Sequence, residues 1–125
     1  MAKKILMIDD EELIIKSFTK LIEKNGYEVI VAKRGQDALI IAEEESFDLI
    51  ISDIRMPGVN GIETVRGIYE IVQNRGASKP PVIFITGYVD KECEEEAKTL
   101  NPVDYIYKPF DISDVVNRIK ETLGE

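Results

Sequence analysis

Five times along this chain a short, unbroken apolar run is followed by a stretch whose apolar residues recur at helical spacing. That alternation constrains the fold more than any other feature. Ile5-Leu6-Met7-Ile8 is a strand-length run, and residues 11–25 then carry a stripe of Ile14, Phe18, Leu21 and Ile22, closed by Asn25-Gly26. Tyr27 to Ala32 reads as a second strand, and Ala38, Leu39, Ile41 and Ala42 as the inner face of a second helix. Leu49-Ile50-Ile51 precedes a third helix traced by Ile62, Val65, Ile68, Tyr69 and Val72, which runs into the breakers between Asn74 and Pro81. Val82 to Ile85 and Val103 to Tyr107 are the fourth and fifth strands. The last helix is expected to be capped by Asp111, to turn Ile112, Val115, Val116, Ile119 and Leu123 inward, and to stop at Gly124. Strands that are continuously apolar are buried on both faces. The fold class is therefore α/β, a parallel sheet between two helical layers in one domain spanning residues 1–125.

One helix is thinly anchored. Between residues 89 and 100 the apolar positions are Val89, Cys93, Ala97 and Leu100, set among Glu92, Glu94, Glu95 and Glu96. Most of those acids read as a solvated face, while so narrow a stripe also implies low local stability and a capacity to move.

Composition removes several kinds of function. The chain has no His and a single cysteine, Cys93, so zinc fingers, histidine acid–base catalysis and Ser-His-Asp triads are excluded, as is an internal disulfide. Its net charge of −8 would repel a nucleic-acid backbone and gains nothing at an anionic membrane. No apolar run reaches membrane-spanning length, and the lead Met-Ala-Lys-Lys is too short for a signal peptide, so a cytoplasmic location is expected.

In an open parallel sheet, ligands gather beyond the carboxyl ends of the strands. There this sequence places Asp9-Asp10 after strand one, Asp53 after strand three, Thr86-Gly87 after strand four and Lys108-Pro109 after strand five. Singly, each has an ordinary role as turn, cap or strand residue; together they fall on one rim. Two carboxylates about 4 Å apart repel by about 4 kcal/mol at an effective dielectric near 20, so three need a proton or a cation among them. Lys108 supplies part of that charge. Oxygen donors without His or Cys favour a hard divalent ion, Mg²⁺ or Mn²⁺, and Asp9-Asp10-Glu11-Glu12 lacks the pattern of a calcium loop. A metal, an ammonium and a carboxylate nucleophile are the requirements of phosphoryl transfer. Asp53, on the central strand, is the candidate nucleophile, with Thr86 able to donate to a phosphoryl oxygen and Gly87 leaving room beside it.

These residues, namely Asp9-Asp10, Asp53-Ile54-Arg55-Met56-Pro57-Gly58 with Gly61, Thr86-Gly87 and Tyr105-Ile106-Tyr107-Lys108-Pro109-Phe110, resemble the receiver domains of bacterial two-component response regulators over nearly the whole chain. The resemblance implies a flavodoxin-like (βα)5 sandwich with strand order 2-1-3-4-5. It implies Asp53 as phosphoacceptor, and Asp9, Asp10, Asp53 and the Arg55 backbone carbonyl as metal ligands. Thr86 and Lys108 would bind the phosphoryl oxygens. Tyr105 would be the aromatic that rotates inward with Thr86, and Lys108–Pro109 a cis peptide. The expected phosphodonor is a histidine kinase or phosphotransfer protein. The fourth helix, fifth strand and fifth helix would face a downstream protein, from a monomer or a phosphorylation-dependent dimer. Arg55 and Tyr88, both large, are expected to cover the acyl phosphate and slow its hydrolysis. Asn101-Pro102 departs from the common Gly-Ala, but Asn tolerates the left-handed turn that ends a helix.

Two other functions remain open at this point. A Mg²⁺-dependent aspartyl-phosphate phosphatase of the haloacid dehalogenase type would want a second acid two residues after the nucleophile, where this chain has Arg55. A constitutive interaction module would have little use for the intact set Asp9, Asp10, Asp53, Thr86 and Lys108.

Overall fold

The computed structural model describes residues 2–56 and 58–124; Pro57 of the motif and the two terminal residues lie outside them. Five strands, β1 (Lys4–Ile8), β2 (Glu28–Ala32), β3 (Leu49–Asp53), β4 (Val82–Thr86) and β5 (Asp104–Tyr107), alternate with helices α1 (Glu12–Lys24), α2 (Gly35–Glu44), α3 (Gly61–Asn74), α4 (Lys91–Lys98) and α5 (Ile112–Leu123). The strands pair in parallel in the order β2-β1-β3-β4-β5. This is the expected flavodoxin-like arrangement.

Strand alternation divides the core in two. Ile5, Met7, Leu49, Ile51, Ile83 and Ile85 face α1 and α5, where Phe18, Ile22, Val115 and Ile119 are buried. Leu6, Ile8, Ile50, Val82 and Phe84 face the other layer, made by α2, α3 and Ala97 of α4. A fully buried side chain of this kind stabilises by about 1.5–3 kcal/mol, so the inner strands β1, β3 and β4 form the rigid base of the molecule.

The inward stripe of α1 lies slightly off its expected phase. Ile15, Phe18 and Ile22 are its buried residues, with Ile14 and Leu21 at the margin. Both the second and fifth strands begin one residue later than their apolar runs, at Glu28 and Asp104. The helix ends follow local chemistry. Asp111 accepts from the Ser113 N–H at 3.0 Å, Gly124 ends α5 at φ 75°, and Asn101 adopts φ 52° after α4. Arg75, beyond α3, donates to the carbonyls of Ala42, Glu43 and Glu45 and so satisfies the end of α2.

Tyr69 anchors the long α3–β4 connection. Its hydroxyl donates to the Pro80 carbonyl at 2.8 Å in a buried setting, and desolvation pushes its pKa up to about 12. Tyr69→Phe is expected to lower stability by about 1 kcal/mol, because the carbonyl loses its donor without access to water. Urea unfolding of the two proteins, compared at constant m-value, measures it.

Candidate functional site

The site follows from strand register. β1 pairs with β3 so that Ile8 lies opposite Ser52, which brings Asp9, the next residue, level with Asp53. Alternation through 5, 7, 9 and 49, 51, 53 puts both on the same side of the sheet. β4 pairs with β5 so that Thr86 lies opposite Tyr107, and Lys108 follows. The Lys108 N–H donates to the Thr86 carbonyl at 2.8 Å, extending the ladder by one bond. The strand order reverses between β1 and β3, and ligands of such sheets collect at that point.

Asp9 and Asp53 are nearly closed to solvent, at 1% and 4% exposure, as is Thr86 at 1%; Asp10 is exposed. Carboxylate oxygens of Asp9, Asp10 and Asp53 lie within 4.8 Å of one another. The Lys108 ammonium sits 3.3 Å from Asp53 Oδ2 and 3.8 Å from Asp9 Oδ2, and donates to Glu11 Oε1 at 2.5 Å. Burial raises the Asp9 pKa to about 6, against the opposing effect of the Glu11 N–H donated to Oδ1 at 2.9 Å; the Asp53 charge adds to the rise. Asp53 is raised in the same way by burial and held back by Lys108. Lys108 is raised in turn: burial opposes its charge, but Glu11, Asp53 and Asp9 outweigh it.

The residues fit a hard divalent cation. The donors are all oxygens, and Asp9 Oδ2 is buried without a hydrogen-bond partner, an oxygen that a metal ion would coordinate.

Above the carboxylates, Asp10, Glu11, Asp53, Arg55, Gly87, Tyr88 and Lys108 line one shallow pocket. The Arg55 guanidinium stacks over the Tyr88 ring, 4.1 Å from its centroid, and lies 3.5 Å from Asp90 Oδ2. Asp90 is also the N-cap of α4, accepting from the N–H groups of Glu92 and Cys93. The Thr86 hydroxyl accepts from the Tyr88 N–H at 3.2 Å. Tyr105 is half-buried, its ring 6.5 Å from Phe84 and 5.5 Å from Tyr107, and its hydroxyl is buried without a hydrogen-bond partner. The Lys108–Pro109 peptide is cis. A Cβ on Gly87 would meet nothing closer than Lys108 Cδ at 3.9 Å, so the space beside Thr86 is real but would accept a methyl group.

Every candidate residue therefore borders one rim, except that Tyr105 lies behind it on β5. The residue the sequence did not single out is Glu11, which reads as one more acid in a run at a helix start. Its contact with Lys108 spans 97 residues, and no local pattern signals it.

Residues 5–120 match the response regulator receiver domain, and the chain belongs to that family. Receiver domains are switches of two-component signalling rather than turnover enzymes, and they generally bind Mg²⁺. The chain is 35% identical over 125 residues to the polar-differentiation response regulator DivK of Brucella ovis, covering 100% of this chain and 99% of DivK. A CheY-like receiver domain protein from Methanospirillum hungatei superposes with a TM-score of 0.89 at 30% identity, covering 99% of this chain and 95% of that one. The chemotaxis protein CheY4 of Vibrio cholerae gives 0.85 at 28% identity, covering 98% and 100%. The chain is thus a receiver domain homologous to phosphorylation-activated switches of the DivK and CheY kind. None of the described helices is long and apolar enough to cross a membrane.

Proposed function

We propose that Asp53 accepts a phosphoryl group from a cytoplasmic histidine kinase or phosphotransfer protein, and that the modified domain presents a changed α4–β5–α5 face to a protein partner. The observation that carries this reading is the Lys108 ammonium 3.3 Å from Asp53 Oδ2, at a rim that also holds Asp9, Asp10 and the Thr86 hydroxyl. In the transfer the phosphohistidine N–P bond breaks as an Asp53 O–P bond forms; the imidazole leaves with the electron pair, and the product is an acyl phosphate. Lys108 neutralises charge on the phosphoryl oxygens, and Thr86 turns from the Tyr88 N–H to donate to one of them. Asp9, Asp10, Asp53 and the backbone carbonyl of Arg55 would hold Mg²⁺ or Mn²⁺. Bound there, the ion would neutralise the remaining phosphoryl charge. Tyr105, already against Phe84, moves further inward as Thr86 turns. Both making and losing the acyl phosphate are reactions of this chain's own groups, and the domain turns over no other substrate.

Acetyl phosphate followed by intact-mass measurement tests this. A Mg²⁺-dependent phosphoryl increment is expected in the wild type and none in Asp53→Asn. No increment in the wild type would leave a constitutive interaction module, and sustained multiple-turnover phosphate release would favour the phosphatase.

Arg55 and Tyr88 roof Asp53 in this reading and hinder an attacking water. A cation–π contact at an exposed site is worth about 0.5–1 kcal/mol, so losing it should shorten the phosphoryl lifetime about two- to fivefold. The phosphoryl half-life in Arg55→Ala and Tyr88→Ala measures this, and half-lives equal to wild type would remove both residues from the account.

A further inference from the structure

One carboxylate at Lys108 has no part in the chemistry above. Glu11 Oε1 accepts from the Lys108 ammonium at 2.5 Å, nearer than Asp53 Oδ2 at 3.3 Å and Asp9 Oδ2 at 3.8 Å. The three acceptors differ in how firmly they are held. Asp9 and Asp53 are almost fully buried, and Asp9 is pinned by the Glu11 N–H on its Oδ1. The Glu11 side chain is 54% exposed, and although the residue sits at the N-cap of α1 it makes no side-chain capping hydrogen bond. Its carbonyl accepts the Ile15 N–H at 3.0 Å, but its side chain owes nothing to the helix, so that side chain is the member of the set that can swing away.

We propose that Glu11 is the resting-state counter-ion of Lys108: a positioning residue that draws the ammonium off Asp53 and gives it up when a phosphoryl group arrives. This rests on Asp53 as the acceptor and assigns what regulates it. The Lys108 stem is largely enclosed, with 16% of the side chain exposed, so the ammonium swings over a short arc between Glu11 and the acceptor. While Glu11 holds it, its pull on Asp53 or on an incoming anion is shared. An ion pair with one exposed partner is weak, so Glu11 is displaced at little cost by a phosphoryl group carrying more charge than one carboxylate. The consequence is a ground state with its cation parked beside the nucleophile, and an acyl phosphate that must compete with Glu11 for Lys108.

Beryllofluoride with Mg²⁺ is the probe, because it mimics the phosphoryl group without covalent chemistry. Glu11→Gln keeps the length of the side chain and loses its charge, and should bind beryllofluoride about two- to fivefold more tightly, the range set by one weak ion pair. Glu11→Asp keeps the charge, but one methylene fewer leaves it short of Lys108 Nζ, so it should behave like Glu11→Gln. A Glu11→Asp variant with wild-type affinity would mean that only net charge matters, and the proposal would fall. Glu12→Gln, which loses an equal charge at a residue paired with Lys33, is the control for net charge. A second readout needs no ligand: the ¹⁵N signal of the Lys108 ammonium in the metal-free protein should shift and exchange faster with water in both Glu11 variants. Unchanged Lys108 signals would overturn the proposal even if affinity moved. If the wild type bound no beryllofluoride at all, the reading of Asp53 itself would fail; normal binding with no response to Glu11 would dismiss Glu11 alone.

Discussion

Gly61→Ala is expected to cost about 3 kcal/mol or more in stability and, on the reading of Asp53 as phosphoacceptor, to abolish phosphorylation in whatever fraction still folds. The first residue of α3 passes so close to the end of β3 that a Cβ would lie 1.9 Å from the Asp53 carbonyl oxygen and 2.8 Å from Ser52 Oγ. Its own N–H donates to the Ile54 carbonyl at 2.8 Å, which holds the two segments together. The principal obstruction is backbone, so no rotamer change relieves it, and either the helix start or the strand end must move. Overpacking of a tight core costs about 1–3 kcal/mol, and a clash against backbone belongs at the upper end. The strand end that would move carries Asp53. Urea unfolding measures the loss of stability, and acetyl phosphate labelling measures the loss of function. A variant with wild-type values for both would show that α3 can draw back without disturbing Asp53.

Asp9→Asn is expected to do the opposite and stabilise the metal-free protein, by about 1–3 kcal/mol at pH 8. Burial raises the folded-state pKa of Asp9 from 3.8 to about 6, and each unit of difference from the unfolded value corresponds to about 1.4 kcal/mol. A raised folded pKa means that the folded state holds its proton more tightly than the unfolded one. That contribution is fully present below pH 3.8 and is lost as pH rises through about 6. At pH 8 the wild type therefore carries a buried, ionised carboxylate, whereas Asn carries none and keeps an oxygen for the Glu11 N–H. The gap between the two proteins should shrink toward zero below pH 4. Unfolding in EDTA from pH 4 to pH 8 checks both size and sign; a gap that stayed constant with pH would show that Asp9 ionisation is not its cause. On the reading of Asp9 as a magnesium ligand, added Mg²⁺ should raise the stability of the wild type and have little effect on the variant.

Much of this is legible in the amino-acid sequence. Runs such as Val82 to Ile85, short, rich in β-branched residues and bounded by Pro81 and Gly87, read as buried strands, and their regular alternation with helical stripes points to a parallel sheet with two helical layers. The strand order was not legible from the alternation, because any crossover that covers both faces satisfies it; it came from resemblance. Asp9, Asp53, Thr86 and Lys108 were visible because each directly follows or ends a strand, and position along the chain then stands in for position in space. Contacts between loops have no such proxy. Glu11 with Lys108 and Arg55 with Asp90 were not legible, since they depend on where side chains reach across the rim; resemblance had put Arg55 and Tyr88 over the same site, though not their stacking. The phase of α1 slipped for a different reason. Ile14 and Ile15 are adjacent and equally apolar, and the angle at which the helix docks decides which one is buried.

The slender attachment of α4 has a consequence for how such domains diversify. Of its residues, Ala97 alone is buried and Cys93 packs against the core beside it, while the surrounding Lys and Glu side chains lie at the surface. By contrast, Gly61 and the level placement of Asp9 and Asp53 permit almost no variation. On the function proposed above, chemistry and address are thereby written on separate parts of one chain. A duplicated gene could acquire new contacts through changes on α4 while its copy of the acidic rim stayed intact at every step. No intermediate in that history need be a broken receiver.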